Sequence, residues 1–130
     1  MSGKQGLIVP GAPPPAGPYS HVVIAGDFVY LAGQGPFDSE GQRVGTTFAE
    51  QARKTLENLS WLAEASGASL ADAVRVGVYL SDMSNFAAMN EIYAEFFPEP
   101  RPVRTTIPSA LVGFDIEVDA VLYAPDRRAV

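Results

Sequence analysis

Alternation of side chains in residues 116–123 is the feature that most restricts how this chain can fold. Successive side chains of a β-strand point to opposite faces. One face would hold Ile116, Val118, Ala120 and Leu122, and the other Glu117, Asp119, Val121 and Tyr123. Residues 74–80 alternate in the same way, with apolar side chains at every second position. The chain is therefore expected to build a sheet with one strongly apolar face that other elements cover.

Two amphipathic helices are predicted to provide that cover. Thr47 and Glu50 have the spacing of a capping box, and apolar residues then recur at helical spacing until Gly67. A second helix is expected to begin at a cap formed by Ser81 or Ser84. Its apolar face would hold Phe86, Met89, Tyr93 and Phe96. This face also requires a sheet to pack against.

Three further strands complete the predicted order. Residues 20–25 and 28–32 read as a hairpin turned at Gly26-Asp27, and residues 103–107 read as a strand after a proline-rich spacer. The order ββ-α-β-α-ββ predicts an α+β fold, with a mixed sheet and both helices on one of its faces. Two helices leave the other face uncovered, and a second copy of the chain is the expected cover.

The chain length and charge limit the possible partners. The 130 residues suit one domain at 14–125, with a flexible tail at 1–13 and a short tail at 126–130. The net charge of −6, with no basic stripe, disfavours nucleic acid as a partner. No apolar run approaches the length of a membrane span, and no signal peptide is visible, so a cytoplasmic location without a membrane partner is expected.

The residue types present also limit the chemistry. The chain has no cysteine and one histidine, His21, which excludes cysteine nucleophiles and a site built from several histidines. No metal site is expected.

Arg104 and Thr106 are the first candidates for function, because pleating places both on one face of the strand 103–107. If this strand paired with the following one, both groups would converge with Glu117 and Asp119. Two interpretations stay open. Arg104 forms a salt bridge with Glu117, or its planar guanidinium binds the carboxylate of a ligand in a bidentate manner.

Four other positions could be structural or functional. Tyr19 could fill a core or an interface, Gly33 could belong to a turn, and Asn90 could face solvent or form a hydrogen bond. His21 is expected to be structural. None of these residues identifies a function by itself.

Together, five short motifs resemble the RidA family (YjgF, reactive intermediate deaminase) over about Pro14 to Leu122. They are Gly17-Pro18-Tyr19-Ser20, Ala32-Gly33-Gln34, the helix from Asn85 to Tyr93, Pro102-Val103-Arg104-Thr105-Thr106 and Ile116-Glu117-Val118-Asp119-Ala120. The resemblance implies a chorismate-mutase-like fold and a homotrimer, whose sheets line a central barrel and whose sites lie between subunits. It also implies hydrolysis of enamines and imines, such as 2-aminoacrylate, to 2-oxo acids and ammonia without a metal or cofactor.

The resemblance further implies roles for individual residues. Arg104 would hold the substrate carboxylate, and Glu117 would orient the attacking water. The implied binding positions are Tyr19, Gly33, Asn90 and Thr106. Ala32 stands where active members commonly have Ser, and His21 stands where they have Gln. Two alternatives to the deaminase are a non-catalytic trimer that binds small carboxylates and an endoribonuclease.

Overall fold

The computed structural model describes residues 3–128, which form six strands and two α-helices. In chain order these are β1 (Gln5–Leu7), β2 (Val22–Ala25), β3 (Phe28–Gln34), α1 (Phe48–Ala65), β4 (Ala73–Leu80), α2 (Phe86–Phe96), β5 (Val103–Pro108) and β6 (Ile116–Tyr123). The predicted order and the α+β class are confirmed, with one additional strand at the N-terminal end. None of the helices in residues 3–128 is long and apolar enough to span a membrane.

The extra strand, β1, lies within the predicted tail at 1–13. Gln5–Leu7 pairs antiparallel with β2, and Val9 and Ala12 are buried in the core. The prediction of a flexible tail is wrong for these residues, because three residues give too short an alternation to be recognised as a strand. Both predicted tails, 1–13 and 126–130, extend beyond the described residues.

All six strands form one mixed sheet in the order β1-β2-β3-β6-β4-β5. The β4–β5 pair is parallel, and the other pairs are antiparallel. Because β4 lies between β5 and β6, these two strands do not pair. The condition under which Arg104 and Thr106 would converge with Glu117 and Asp119 is therefore not met within one chain.

Local signals place the helix ends. The predicted capping box is present, since Thr47 Oγ1 accepts a hydrogen bond from the backbone of Glu50 and the Glu50 carboxylate accepts one from the backbone of Thr47. The predicted serine cap of α2 is wrong. Asp82 instead caps a 3₁₀ turn, Met83–Asn85, that leads into α2 and makes a serine cap unnecessary.

The two helices and one face of the sheet enclose a single apolar core. This helix-covered face includes Val76, Val118 and Ala120, which are almost fully buried. The other face, called the open face below, exposes large apolar side chains in the chain taken alone. They are Phe28, Tyr30, Val103, Ile107 and Tyr123. The predicted arrangement, with helices on only one face, is confirmed.

Candidate functional site

A cleft of about 440 Å³ opens beside the ends of β3 and β6. Tyr19, Gly33 and Glu117 line this cleft together. The rest of its wall is formed by Pro13, Pro14, Pro15, Ala16, His21, Gln34, Gly35, Phe37, Gly41 and Phe114. Three of the six predicted site residues thus meet at one place in the chain.

The Glu117 carboxylate lies directly against the backbone of Gly33. A Cβ atom at position 33 would overlap Glu117 Oε2 and would lie 3.1 Å from Glu117 Cδ. The pairing of β3 with β6 also shifts register between Leu31 and Gln34, and such irregularities re-aim side chains beside active sites. Glycine at position 33 therefore leaves room for the carboxylate.

Glu117 is half-buried, and its environment favours the protonated form. Burial is the main cause that raises the pKa of Glu117, and the nearby negative charge of Asp119 raises it further. A carboxylate with a raised pKa is a better proton acceptor than an ordinary surface glutamate. The site can therefore supply a general base next to the cleft.

Asp119 is fixed by two contacts that the sequence did not predict. Its Oδ1 accepts a hydrogen bond from Gly77 N at 3.1 Å, and its Oδ2 accepts one from the Tyr79 hydroxyl at 3.0 Å. Burial, followed by this contact with Asp119, raises the pKa of Tyr79. The alternation of residues 74–80 placed Gly77 and Tyr79 on one face, but no sequence signal paired them with Asp119.

Tyr19 is positioned by the proline-rich segment that precedes it. Its hydroxyl accepts a hydrogen bond from Ala16 N at 3.0 Å, and its own N–H donates to Gly17 O at 2.9 Å. The ring is still about half exposed and lines the cleft with Glu117. A stiff segment that ends in an aromatic ring therefore forms one wall of the cleft.

Arg104 lies on the helix-covered face, against α2. Its guanidinium carbon lies 4.7 Å from the centre of the Tyr93 ring and 5.6 Å from that of Phe86. Its Nη1 approaches Met89 Sδ at 3.8 Å. Among residues 3–128 no carboxylate pairs with Arg104, and the one salt bridge found there joins two other side chains. The arginine is held over aromatic rings with its charge uncompensated by an acid.

Thr106 and Asn90 belong to the same side of the molecule as Arg104. Thr106 follows Arg104 by two residues on β5, and its buried Oγ1 has no hydrogen-bond partner among the described residues. Asn90 lies on α2 between Phe86 and Tyr93 at helical spacing. Tyr93 was predicted only as a core residue, although its position one turn from Asn90 pointed to the same face.

The six predicted residues therefore form two separate groups. Arg104 is paired with the buried Val76 and shares the helix-covered face, whereas Glu117 is paired with Tyr79 and shares the open face. A salt bridge between Arg104 and Glu117 within one chain is excluded by this arrangement. In residues 3–128 no cluster of three or more histidine, aspartate or glutamate side chains could hold a metal ion.

Comparisons with known proteins agree with the fold and the motifs. The sequence profile of the family described as Endoribonuclease L-PSP matches residues 10–124. A RutC family protein of Pyrococcus horikoshii is 42% identical over 123 residues, which cover 92% of this chain and 98% of that protein. A protein of Dermatophagoides farinae named 2-iminobutanoate/2-iminopropanoate deaminase is 37% identical over 108 residues, with 82% of this chain and 84% of the relative covered. Some other relatives are named as mitochondrial proteins.

A solved structure shows the same architecture. The crystal structure of RidA from an Antarctic Psychrobacter species superposes with a TM-score of 0.85 at 36% identity, and the match covers 92% of this chain and 98% of that one. Together with the match to the family profile over most of the chain, this likeness establishes that the chain belongs to the RidA/YjgF/L-PSP (RutC) family.

Proposed function

We propose that the chain is a deaminase that hydrolyses reactive enamines and imines of the 2-aminoacrylate, 2-iminopropanoate and 2-iminobutanoate type to 2-oxo acids and ammonia. The observation that carries this proposal is a complementary pair of groups. Glu117 is a half-buried carboxylate with a raised pKa beside a cleft, and Arg104 has no carboxylate partner among residues 3–128. The first suits a base that activates water, and the second suits a substrate carboxylate.

The two groups are proposed to meet between copies of the chain. Because Arg104 and Glu117 face opposite sides of one sheet, a single chain cannot bring both to one ligand. The open face exposes large apolar side chains, among them Tyr30 and Tyr123, which contact with another copy would bury. We infer a homotrimer in which the sheets surround a central barrel and each site joins Arg104 of one copy to Glu117 of the next.

The half-site around Arg104 would bind the substrate carboxylate. The Tyr93 and Phe86 rings hold the guanidinium in place, and its planar fork of N–H donors suits bidentate binding of a carboxylate. Thr106 Oγ1 would donate or accept a further hydrogen bond, and Asn90 would border the ligand. This half-site supplies binding and orientation, which account for much of the catalysis of an already electrophilic carbon.

The half-site around Glu117 would carry out the proton transfers. The substrate reacts as the protonated imine. Glu117 takes a proton from water as the water oxygen bonds to the imine carbon, which gives a neutral carbinolamine, and the carboxyl group then returns this proton to the amine nitrogen. The carboxylate takes the remaining hydroxyl proton as the carbon–nitrogen bond breaks, so that the carbonyl forms, and it passes that proton to the departing ammonia. Water supplies the oxygen atom and Glu117 carries both protons, so the proposed reaction requires no metal or cofactor.

The experiment that tests the function is trapping of freshly generated imines with semicarbazide. An amino-acid oxidase would produce imines from several parent amino acids, and the protein should lower semicarbazone formation while 2-oxo acid and ammonia appear. Glu117→Gln should lose most of this effect. A wild-type protein that binds 2-oxo acids but leaves semicarbazone formation unchanged would contradict the enzyme and favour the non-catalytic carboxylate binder.

No observation favours the endoribonuclease that the family description names. The net charge of −6 opposes contact with phosphates. Cleavage of RNA by repurified wild-type protein and by Arg104→Ala alike would show a nuclease that does not use this site. The cytoplasmic location predicted from the sequence stays a prediction, which fractionation of cells that express the protein would check.

A further inference from the structure

The chain between β1 and β2 forms one wall of the cleft but has few hydrogen bonds of its own. Pro13, Pro14 and Pro15 line the cleft and have no backbone N–H to donate. Ala12 N donates to Val9 O at 3.3 Å, which closes a single turn. Contacts from other parts of the chain must therefore hold this segment, residues 9–16, which we call the proline wall.

His21 makes two such contacts with one ring. Its Nδ1 lies 2.8 Å from the backbone nitrogen of Val9, and its Nε2 lies 2.7 Å from Pro13 O. A backbone N–H can only donate and a carbonyl can only accept, so Nδ1 is the acceptor and Nε2 carries the proton. The imidazole thus joins two points of the wall that are four residues apart in sequence.

The position of His21 is itself fixed. Its side chain is 2% exposed, its N–H donates to Leu7 O at 3.0 Å, and its carbonyl accepts from Ala32 N at 2.9 Å. Ala32 immediately precedes Gly33, the residue on which the Glu117 carboxylate rests. His21 therefore links the proline wall to the part of β3 that positions Glu117.

A second contact provides a natural probe of the wall. The indole Nε1 of Trp61, the one tryptophan of the chain, donates to Pro10 O at 3.1 Å. Gly11 has a φ of 86°, and a Cβ there would lie 3.2 Å from the Trp61 ring. If the wall leaves its place, the environment of this indole must change.

We propose that His21 is a positioning residue that holds the proline wall, and with it Tyr19, in place for the ligand of the cleft. It acts through Val9 and Pro13 and does not touch the reacting atoms. The kinetic part of this inference rests on the proposed deaminase function, whereas the order of the wall can be measured without any substrate. Two hydrogen bonds from one buried ring are the observation that carries it.

Three substitutions separate this role from simple packing. His21→Gln keeps one acceptor and one donor on a planar group, so it can replace both contacts. His21→Asn places its amide oxygen near the position of Nδ1 and retains the contact with Val9, but it is too short to reach Pro13 O. His21→Leu fills a similar volume and removes both hydrogen bonds.

Amide hydrogen exchange measured by NMR on the full chain is the first readout. In His21→Leu we expect the Val9 amide to exchange about tenfold faster or more, since it loses its acceptor. The Ala16 amide, which donates to Tyr19, should also lose protection, and the Trp61 indole signal should shift. His21→Gln should restore all three. His21→Asn should keep Val9 protected and still expose Ala16.

The second readout is the kinetics with 2-iminobutanoate. KM should rise several-fold in His21→Leu and His21→Asn, while kcat stays within about twofold, because the base and the arginine are untouched. His21→Gln should have a near-native KM. If His21→Leu does not fold, His21→Asn gives the same test.

The inference would be overturned if the exchange rate of the Ala16 amide were unchanged in both His21→Leu and His21→Asn. It would also be overturned if His21→Gln did not keep the protection that is lost in His21→Leu. If the wild-type protein does not hydrolyse imines, the proposed function is refuted. The amide exchange experiment, which needs no substrate, would then still test the role of His21.

Discussion

Arg104 and Glu117 point to opposite faces of one sheet, because Arg104 is paired with Val76 of β4 and Glu117 with Tyr79 of the same strand. Val76 and Tyr79 are three positions apart, and an odd spacing along a strand reverses the face. Each chain thus carries both halves of the proposed site but cannot close them on one ligand.

We predict that the protein in dilute solution is a trimer of the 13.8 kDa chain. Burial of the apolar side chains on the open face would supply the free energy of association. Light scattering at micromolar concentration measures the mass. A monomeric mass would refute both the trimer and a site shared between subunits.

Co-expression of Arg104→Lys with Glu117→Gln should give more activity than either variant has alone. Each site takes one residue from each of two neighbouring copies, so random assembly leaves about one quarter of the sites intact. The specific activity of the mixed preparation measures this recovery. Co-expression of Arg104→Lys with Arg104→Ala is the control and should give no more activity than Arg104→Lys alone. No recovery in the first mixture would place both residues in one chain's own site.

Arg104→Lys should lower turnover roughly ten- to a hundredfold with the fold retained. An ammonium group keeps the charge but cannot form two parallel hydrogen bonds to a carboxylate, and a lost charged hydrogen bond costs about 1.5–3 kcal/mol. Turnover and melting temperature should be measured on one preparation. Arg53→Lys, at an exposed ion pair with Glu95, is the matched control and should change neither by much. Near-native turnover with a lowered melting temperature would make Arg104 structural.

Glu117→Gln should retain binding of a 2-oxo acid and lose most hydrolysis. The amide preserves the shape of the side chain but cannot accept a proton from water. Calorimetric titration with 2-oxobutanoate and single-turnover kinetics measure the two properties separately. Equal loss of both would indicate that Glu117 contributes to binding rather than to proton transfer.

The pH profile of imine hydrolysis should have an acidic limb at a pH above the usual pKa range of a glutamate. Asp119→Asn should move this limb to lower pH. The pKa of Glu117 is raised from 4.5, first by burial and then by the charge of Asp119, so removal of that charge leaves the burial effect in place. Asparagine can still accept from Gly77 N and contact the Tyr79 hydroxyl. A limb that stays or moves up would show that another group titrates.

The raised pKa of Glu117 also makes the free energy of unfolding depend on pH. The folded chain holds the Glu117 proton more tightly than the unfolded chain does. The free energy of unfolding should therefore fall as pH rises from 4.5 through the raised pKa of Glu117. Unfolding in urea at several pH values should show this fall in the wild type. Glu117→Gln has no carboxyl group at this position and should lack the fall.

Gly33→Ala should reduce activity without unfolding the protein, because the added methyl group takes the space of Glu117 Oε2 and displaces the carboxylate. Gly17→Ala is the matched control, since its methyl group would lie 3.7 Å from the Tyr19 ring, an ordinary contact. Activity and thermal unfolding of both variants decide the matter. Equal activity in the two variants would show that the position of Glu117 against Gly33 is not required.

The sequence by itself determined the local elements and the faces of each strand. Thr47 and Glu50 cap α1 through contacts three residues apart, and Gly26-Asp27 turns the hairpin, so neighbours in sequence suffice for both. Alternation also assigned Glu117 and Asp119 to one face of β6. The five family motifs identified the candidate residues, although they did not place them relative to one another.

Only the tertiary structure decided which of these faces meet. The position of β4 between β5 and β6 depends on pairing between strands far apart in sequence, and it separates Arg104 from Glu117. The contacts of Asp119 with Gly77 and Tyr79 cross the pair of β4 and β6, which are also far apart in sequence. The ring of His21, which immediately precedes β2, binds two points of the irregular segment after β1. Residue patterns report periodicity within an element, whereas strand order and contacts between elements arise from packing of the whole chain.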